Sequence, residues 1–464
     1  MTSTAPTSAE PSGRTGPRPA GPRRLRSALA FETLVGSLGL YSVIPVLGPL
    51  LAARSPGQGT AVVGIGLFCY TASAGLSATL AAHWLRRLSY ARGMVAAVLL
   101  SAAAFGLLSR ARSDWALCGL LVVAGFGVSA HFLYSRVLIA EVIRDDIGRN
   151  RVFSLLQIAV NAAAALGPFV ANALYSPAQP QQLLGVVALC YVAAAVVMLP
   201  GLPRGQRPPA ASGRWPVGRK VLRQVVTTPA IRRTVAVSVL GTFVYAQFYS
   251  AFAYYVAEDF GSATLRSFLL AGPAFWIVVL QTGVTAVISR LMRGGTTPFA
   301  VLGGANLLFA ASMTALGLDF SPVVCAVLAV LVFSVAEMVF GPMVSTAYAG
   351  LPVESSLEAF NLRQVCWSFG EALGAFAGGA LFVALHDQGR GHLYWQALAV
   401  VTLAVTCLLL ILARRTDAPR AQEVAGAPGA GEVSDVPPPE EVSDVPQPQE
   451  VSGAPRSQGV TDMP

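Results

Sequence analysis

Charged residues are scarce in this chain: Asp, Glu, Lys and Arg together make up 12% of its 464 residues, while 54% are hydrophobic. That balance is far more apolar than a water-soluble core can use, which excludes the soluble globular classes. Lysine is almost missing. Lys220 is the only one, and the arginines sit between apolar runs, so the net charge of +9 does not gather on one face as nucleic-acid binding requires. The six cysteines, Cys69, Cys118, Cys190, Cys325, Cys366 and Cys407, lie in apolar runs without paired CxxC spacing. Neither a disulfide nor a metal site is expected. Residues 1–22 are rich in Pro, Ser, Thr and Gly and lack a short apolar core with a cleavage site, so no cleavable signal peptide is expected. No P-loop lysine, HExxH or nucleophile elbow occurs in usable context, which argues against an ATP-driven pump or an enzyme. No cofactor is expected.

What the chain does have is a series of apolar runs of about 20 residues, the length that crosses about 30 Å of hydrocarbon as a helix. They fall at 27–53, 61–84, 93–108, 115–141, 153–175 and 183–199, then at 234–256, 267–288, 298–317, 322–349, 366–385 and 393–413. Two sets of six follow, separated by a Pro-rich, basic stretch at 201–233 with a short amphipathic piece near 217–226. An all-α membrane protein of 12 transmembrane helices is predicted, with a disordered basic segment at 1–26 and a disordered Pro-rich tail at 414–464. Arginines crowd the N-terminus, the loops after runs 2 and 4 and the central stretch, whereas the opposite loops hold few. Both termini are therefore expected in the cytoplasm, with the protein in the plasma or inner membrane.

An internal repeat supports the division. Laying 153–174 over 360–381 brings Phe153, Leu155, Gln157, Ala165, Leu166, Gly167, Phe169, Ala173 and Leu174 onto identical residues. That match makes run 5 equivalent to run 11 and predicts two pseudo-symmetric six-helix bundles, 27–200 and 234–413, as transporters with internal repeats are built.

Polar residues inside the runs carry the functional information, because a charge at mid-membrane costs at least ~2.5–3.5 kcal/mol on insertion scales. Glu337, well inside run 10, is the first candidate for taking up and releasing a proton; a carboxyl that only fixes helix packing is the alternative. Arg136 in run 4 needs an anionic partner, an aqueous cavity or a snorkelling path to headgroups. Glu32 and Glu371 are placed near the cytoplasmic ends of runs 1 and 11, as interfacial or gating carboxyls, and His131 is a candidate proton relay or a packing residue. Asn161, Gln247, Gln281, Tyr245, Tyr249 and Trp276 are expected to line a cavity offering hydrogen bonds and aromatic faces, against an interfacial belt as the plainer role of the aromatics.

Certain patches resemble the major facilitator superfamily, in particular its twelve-helix multidrug and metabolite exporters. The passage from Arg136 through Glu141, Asn150 and Phe153 to Asn161 is similar to the junction of helices 4 and 5 in that family. Gly167-Pro168 resembles the core of the helix 5 antiporter motif, and the segments around Tyr245-Ala-Gln247 and Glu337-Met338 resemble helices 7 and 10. Arg87 and Arg92 match the basic positions of the helix 2–3 loop, although the Asp of that motif is absent. The resemblance implies the facilitator fold, alternating access, and proton-coupled efflux of a small amphipathic organic molecule, with antiport and drug resistance as the associated biology. It further implies protons, one small-molecule substrate and the lipid bilayer as partners, and a monomer. A proton-coupled nutrient importer of the same fold, or a non-transporting receptor, is the alternative.

Overall fold

A computed structural model describes residues 22–54, 59–80, 86–176, 178–203, 205–208 and 219–425. By internal contacts the chain divides into Met1–Ala413 and Arg414–Pro464. The first unit holds helices α1 Pro22–Arg54, α2 Gly59–Ala72, α3 Tyr90–Leu108, α4 Asp114–Val142, α5 Asp146–Leu174 and α6 Gln181–Gly201. A short α7 Arg219–Thr227 precedes α8 Pro229–Tyr249, α9 Ala251–Asp259, α10 Ala263–Arg293, α11 Pro298–Leu316, α12 Pro322–Ala349, α13 Ser356–Ala377 and α14 Gly391–Ala425. Eleven helical stretches among the described residues are long and apolar enough to cross a bilayer. The remaining run, α2, is shorter because a π-helical turn, Ser73–Ser77, interrupts it. The protein is an all-α, multi-pass membrane protein.

Helix starts follow side-chain caps. Asp145 accepts from the Gly148 N–H at 2.6 Å to open α5, Ser113 from Ala116 at 3.2 Å to open α4, and Thr297 from Ala300 at 3.2 Å to open α11. Each cap satisfies one of the orphan amides at a helix N-terminus and contributes about 1 kcal/mol.

Two expectations about the runs need correction. Run 11 begins at Ser356, not at 366, because Ser355 caps it by accepting from the Glu358 N–H at 3.3 Å. Run 7 is broken at Ser250, where Gly378 of the π-helical turn Gly378–Phe382 comes so close that a Cβ there would lie 2.8 Å from the Ala251 amide nitrogen. The first and last helices also extend beyond their apolar runs: α1 begins at Pro22, inside the segment expected to be disordered, and α14 reaches Ala425. The rest of the N-terminus, the stretch 209–218 and the tail after Ala425 lie outside the described residues.

Two hydrophobic cores form, one from α1 to α6 joined by Leu357 and Phe360 from the first turns of α13, and one from α7 to α14. The repeat is visible in how they meet. Phe153 and Phe360, repeat-related and identical, face each other with ring centroids 6.2 Å apart. Residues exchanged by a pseudo-twofold operation touch only near its axis, so this pair marks where the axis passes. Gly167 lets α5 approach α1, since a Cβ would lie 2.5 Å from the Tyr41 carbonyl carbon. Its repeat partner Gly374 does the same for α13 and α8, where a Cβ would lie 2.3 Å from the Phe243 oxygen. Small residues at helix crossings are how membrane bundles gain close packing without a hydrophobic driving force.

Candidate functional site

Between the two halves lies a cavity of about 1360 Å³, walled by α1, α4, α5, α8, α10, α12 and α13. Phe153 and Phe360 belong to its floor. Below them the halves come together near Asp146, which faces Gly350, and near Glu358, which lies in the field of Arg86. Arg149 ties the α4–α5 turn by donating to the Ile143 and Ala140 carbonyls at 2.6 and 3.1 Å. Toward the opposite end the lining reaches Asn172 and Ser267. The lining is more accessible toward that end, where Tyr249 is 60% exposed, whereas Arg363 near the floor is 6% exposed.

Glu337 lines this cavity and is 5% exposed. Its Oε1 accepts from the Tyr245 hydroxyl at 3.3 Å, and its Oε2 has no hydrogen-bond partner among the described residues. The Tyr245 hydroxyl sits 3.1 Å from the Tyr249 hydroxyl, and its ring stacks on Phe333 with Trp367 tilted against it. Arg136, Asn161, Tyr245 and Tyr249 line the same cavity. Asn161 turns one amide N–H back to the Gln157 carbonyl at 2.9 Å.

Other residues sit elsewhere than expected. Gln247 and Gln281 are fully buried and do not line the cavity. Gln247 is a staple: its amide donates to the Phe243 and Gly374 carbonyls, and its oxygen accepts from the Tyr394 hydroxyl at 2.7 Å. Gln281 donates to the Met338 carbonyl at 2.9 Å and so ties α10 to α12. Trp276 packs against Phe275, which lines the cavity, but does not itself line it. Amides in an apolar run satisfy backbone carbonyls of neighbouring helices as readily as they meet a substrate, and composition does not separate the two roles.

Glu32 and Glu371 are not at helix ends. Glu32 is fully buried, with its Oε2 2.6 Å from His131 Nε2 and its Oε1 accepting from Thr33 at 3.1 Å. That pair joins α1 to α4 behind the cavity wall and does not line it. Glu371 lines the cavity and lies fifteen residues into α13, about 22 Å from the helix start at 1.5 Å per residue. Pro168 lines the cavity, whereas Arg87 and Arg92 are exposed at the start of α3 and it is Arg86 that lies near Glu358. Arg363, Gln157, Gln364 and Trp367 were not among the expected residues, yet all four line the cavity. Starting run 11 at Ser355 would have placed Arg363 inside a membrane helix.

A helical bundle with a midplane cavity at the interface of two repeats defines a secondary-transporter architecture. The family model for the Major Facilitator Superfamily matches residues 29–356, and the chain belongs to that superfamily. No curated protein sequence matches it. Among solved structures, the fold is similar to a human organic anion transporter, MFSD10 (17% identity, 83% of this chain and 99% of that one, TM-score 0.62). It is similar also to a bacterial homologue of the iron transporter ferroportin in an outward-facing state (16% identity, 83% and 99%, TM-score 0.64). A third likeness is to the E. coli fucose:proton symporter FucP (13% identity, 83% and 97%, TM-score 0.59). These likenesses concern the fold alone.

Proposed function

We propose that the protein exports a small amphipathic organic molecule in exchange for protons, by alternating access through the cavity between its halves. One observation carries the reading: Glu337, buried on the cavity wall, has one oxygen bound to Tyr245 and the other unpartnered. A carboxyl in that setting has room for a proton and a route to water through the open cavity. With both termini in the cytoplasm, as the arginine distribution favours, the floor at Phe153 and Phe360 is cytoplasmic and the conformation is outward-facing. At about 180 mV one inward proton supplies roughly 4 kcal/mol, a nearly thousandfold gradient of an uncharged solute.

Everted membrane vesicles with an acidified lumen test both direction and coupling. Aromatic amphiphiles added outside should alkalinise the lumen as protons leave in exchange. Glu337→Gln should abolish that response while leaving the protein folded and counterflow of labelled solute, without a pH gradient, intact. A proton-coupled importer, the second reading, gives a response that requires substrate loaded inside. Normal proton-driven transport by Glu337→Gln would make Glu337 a packing residue and leave Glu371 as the next carboxyl on the cavity wall.

A further inference from the structure

The cavity is stratified. Arg136 lies six residues before the end of α4 and Arg363 seven residues after the start of α13, each about 10 Å from the same end of the bundle at 1.5 Å per residue. Glu337, twelve residues before the end of α12, stands about 18 Å from that end by the same measure. One arginine comes from each half, both line the cavity, and each guanidinium lies within the other's field. Among the described residues neither has a carboxylate within ion-pairing distance. Their contacts are aromatic instead: Arg136 over Phe132 at 5.6 Å, and Arg363 over Trp367 at 4.9 Å. Arg363 is 6% exposed and its Nε has no hydrogen-bond partner among the described residues.

Two mutually repelling guanidiniums on the floor of a membrane cavity, without protein counter-charge, are an arrangement that folding alone does not favour. An oxyanion placed between them removes the repulsion and fills the empty donors, since arginine's planar fork matches carboxylate and phosphate geometry. Trp367, Phe132 and Phe360 then offer faces to an apolar or aromatic body.

We infer that Arg136 and Arg363 form the head-group subsite of the substrate cavity and that the substrate is an organic anion, an acidic oxyanion head on an apolar aromatic body. The inference rests on the transport reading for its biological sense, but its test requires no transport.

The full chain, purified in detergent, is assayed by equilibrium dialysis against four indoles with one body and different heads: indole-3-acetate, indoxyl phosphate, indole-3-acetamide and tryptamine. Saturable binding of the anions is expected, with the amide and the amine about tenfold weaker or worse; which anion binds tighter identifies a carboxylate or a phosphate head. Arg136→Gln and Arg363→Gln should each weaken the anions about ten- to a hundredfold, the loss of a charge-assisted hydrogen bond. Arg363→Lys, which keeps charge and loses the fork, should fall between. Should a Gln variant fail to fold, the Lys variant and the ranking of the four probes on the unaltered protein decide. Equal binding of the amide or the amine, unchanged anion binding in both folded Gln variants, or no saturable binding of either anion would overturn the assignment. A protein that binds the anions but gives no vesicle response refutes the transport reading alone. One that exchanges protons for tryptamine and ignores the anions refutes only the subsite.

Discussion

Glu32 in the first half of the molecule and Glu337 in the second are both deeply buried inside a spanning helix, and the two are in opposite situations. Glu32 in the first half is sealed and paired, 2.6 Å from His131 and supported by Thr33. Glu337 in the second half stands on the cavity wall with a single tyrosine contact and a vacant oxygen. Burial is the same in both cases, 0% and 5% exposed, so burial does not distinguish a structural carboxyl from one placed to work. Access does: Glu337 lines the cavity, whereas Glu32 does not and lies against His131. A carboxyl that no cavity reaches has no aqueous route by which a proton could come and go during a transport cycle.

The largest effect that could break this comparison comes from the paired site. Removing one partner of a buried pair typically costs about 3–5 kcal/mol, so Glu32→Leu and His131→Leu should each lower the thermal midpoint sharply. The double variant should recover most of the loss, because apolar replacement of both partners is often neutral. Proton-driven transport should survive in it. Loss of transport at normal abundance would make Glu32 a coupling group and erase the distinction between the halves.

Gln247→Leu should cost about 1–3 kcal/mol of stability, since the Gly374 carbonyl and Tyr394 hydroxyl lose a buried partner. Ligand affinity should not change, as Gln247 does not face the cavity; altered affinity at unchanged stability would place it there. Tyr245→Phe is a sharper and smaller probe of the open carboxyl. Deleting only the hydroxyl that reaches Glu337 and Tyr249 should cost about 1 kcal/mol or less and leave anion binding intact. The pH dependence of driven exchange should move, and an unmoved profile would separate Tyr245 from the proton step.

The smallest effect belongs to the surface pair of Lys220 with Glu354, which joins α7 to the loop after α12. Glu354 holds the Lys220 ammonium above its ordinary value of 10.5, so what the contact contributes is present below that value and lost only as pH rises beyond it. Lys220→Gln should therefore leave the thermal midpoint at neutral pH unchanged, as exposed pairs usually do. A measurable fall would show that α7 is fastened to the bundle by this contact.

Most of the architecture was legible because lipid imposes a length and a composition on every spanning segment. Run 10 was read with both boundaries correct, 322–349, and the repeat linking 153–174 to 360–381 reappears as the Phe153–Phe360 contact and as the matched approaches at Gly167 and Gly374. The misread start of run 11 was avoidable. Ser355 and Glu358 stand in the spacing of a capping box, and their polarity hid the first turns of a membrane helix that enters through protein rather than lipid.

Sequence by itself determined the helical membrane class, the two-bundle repeat and, Arg363 apart, the ionisable residues that had to face protein or water, because the hydrocarbon core penalises each of them separately and locally. Which of those residues face each other was decided only by tertiary structure. Periodicity fixes a residue's height and face on its own helix, but the pairing of Glu32 with His131 and the placing of Arg136 and Arg363 on one cavity depend on how separate helices are rotated and set side by side. That rotation is set by small-residue crossings and interhelical hydrogen bonds summed over the whole bundle, a property no single segment carries.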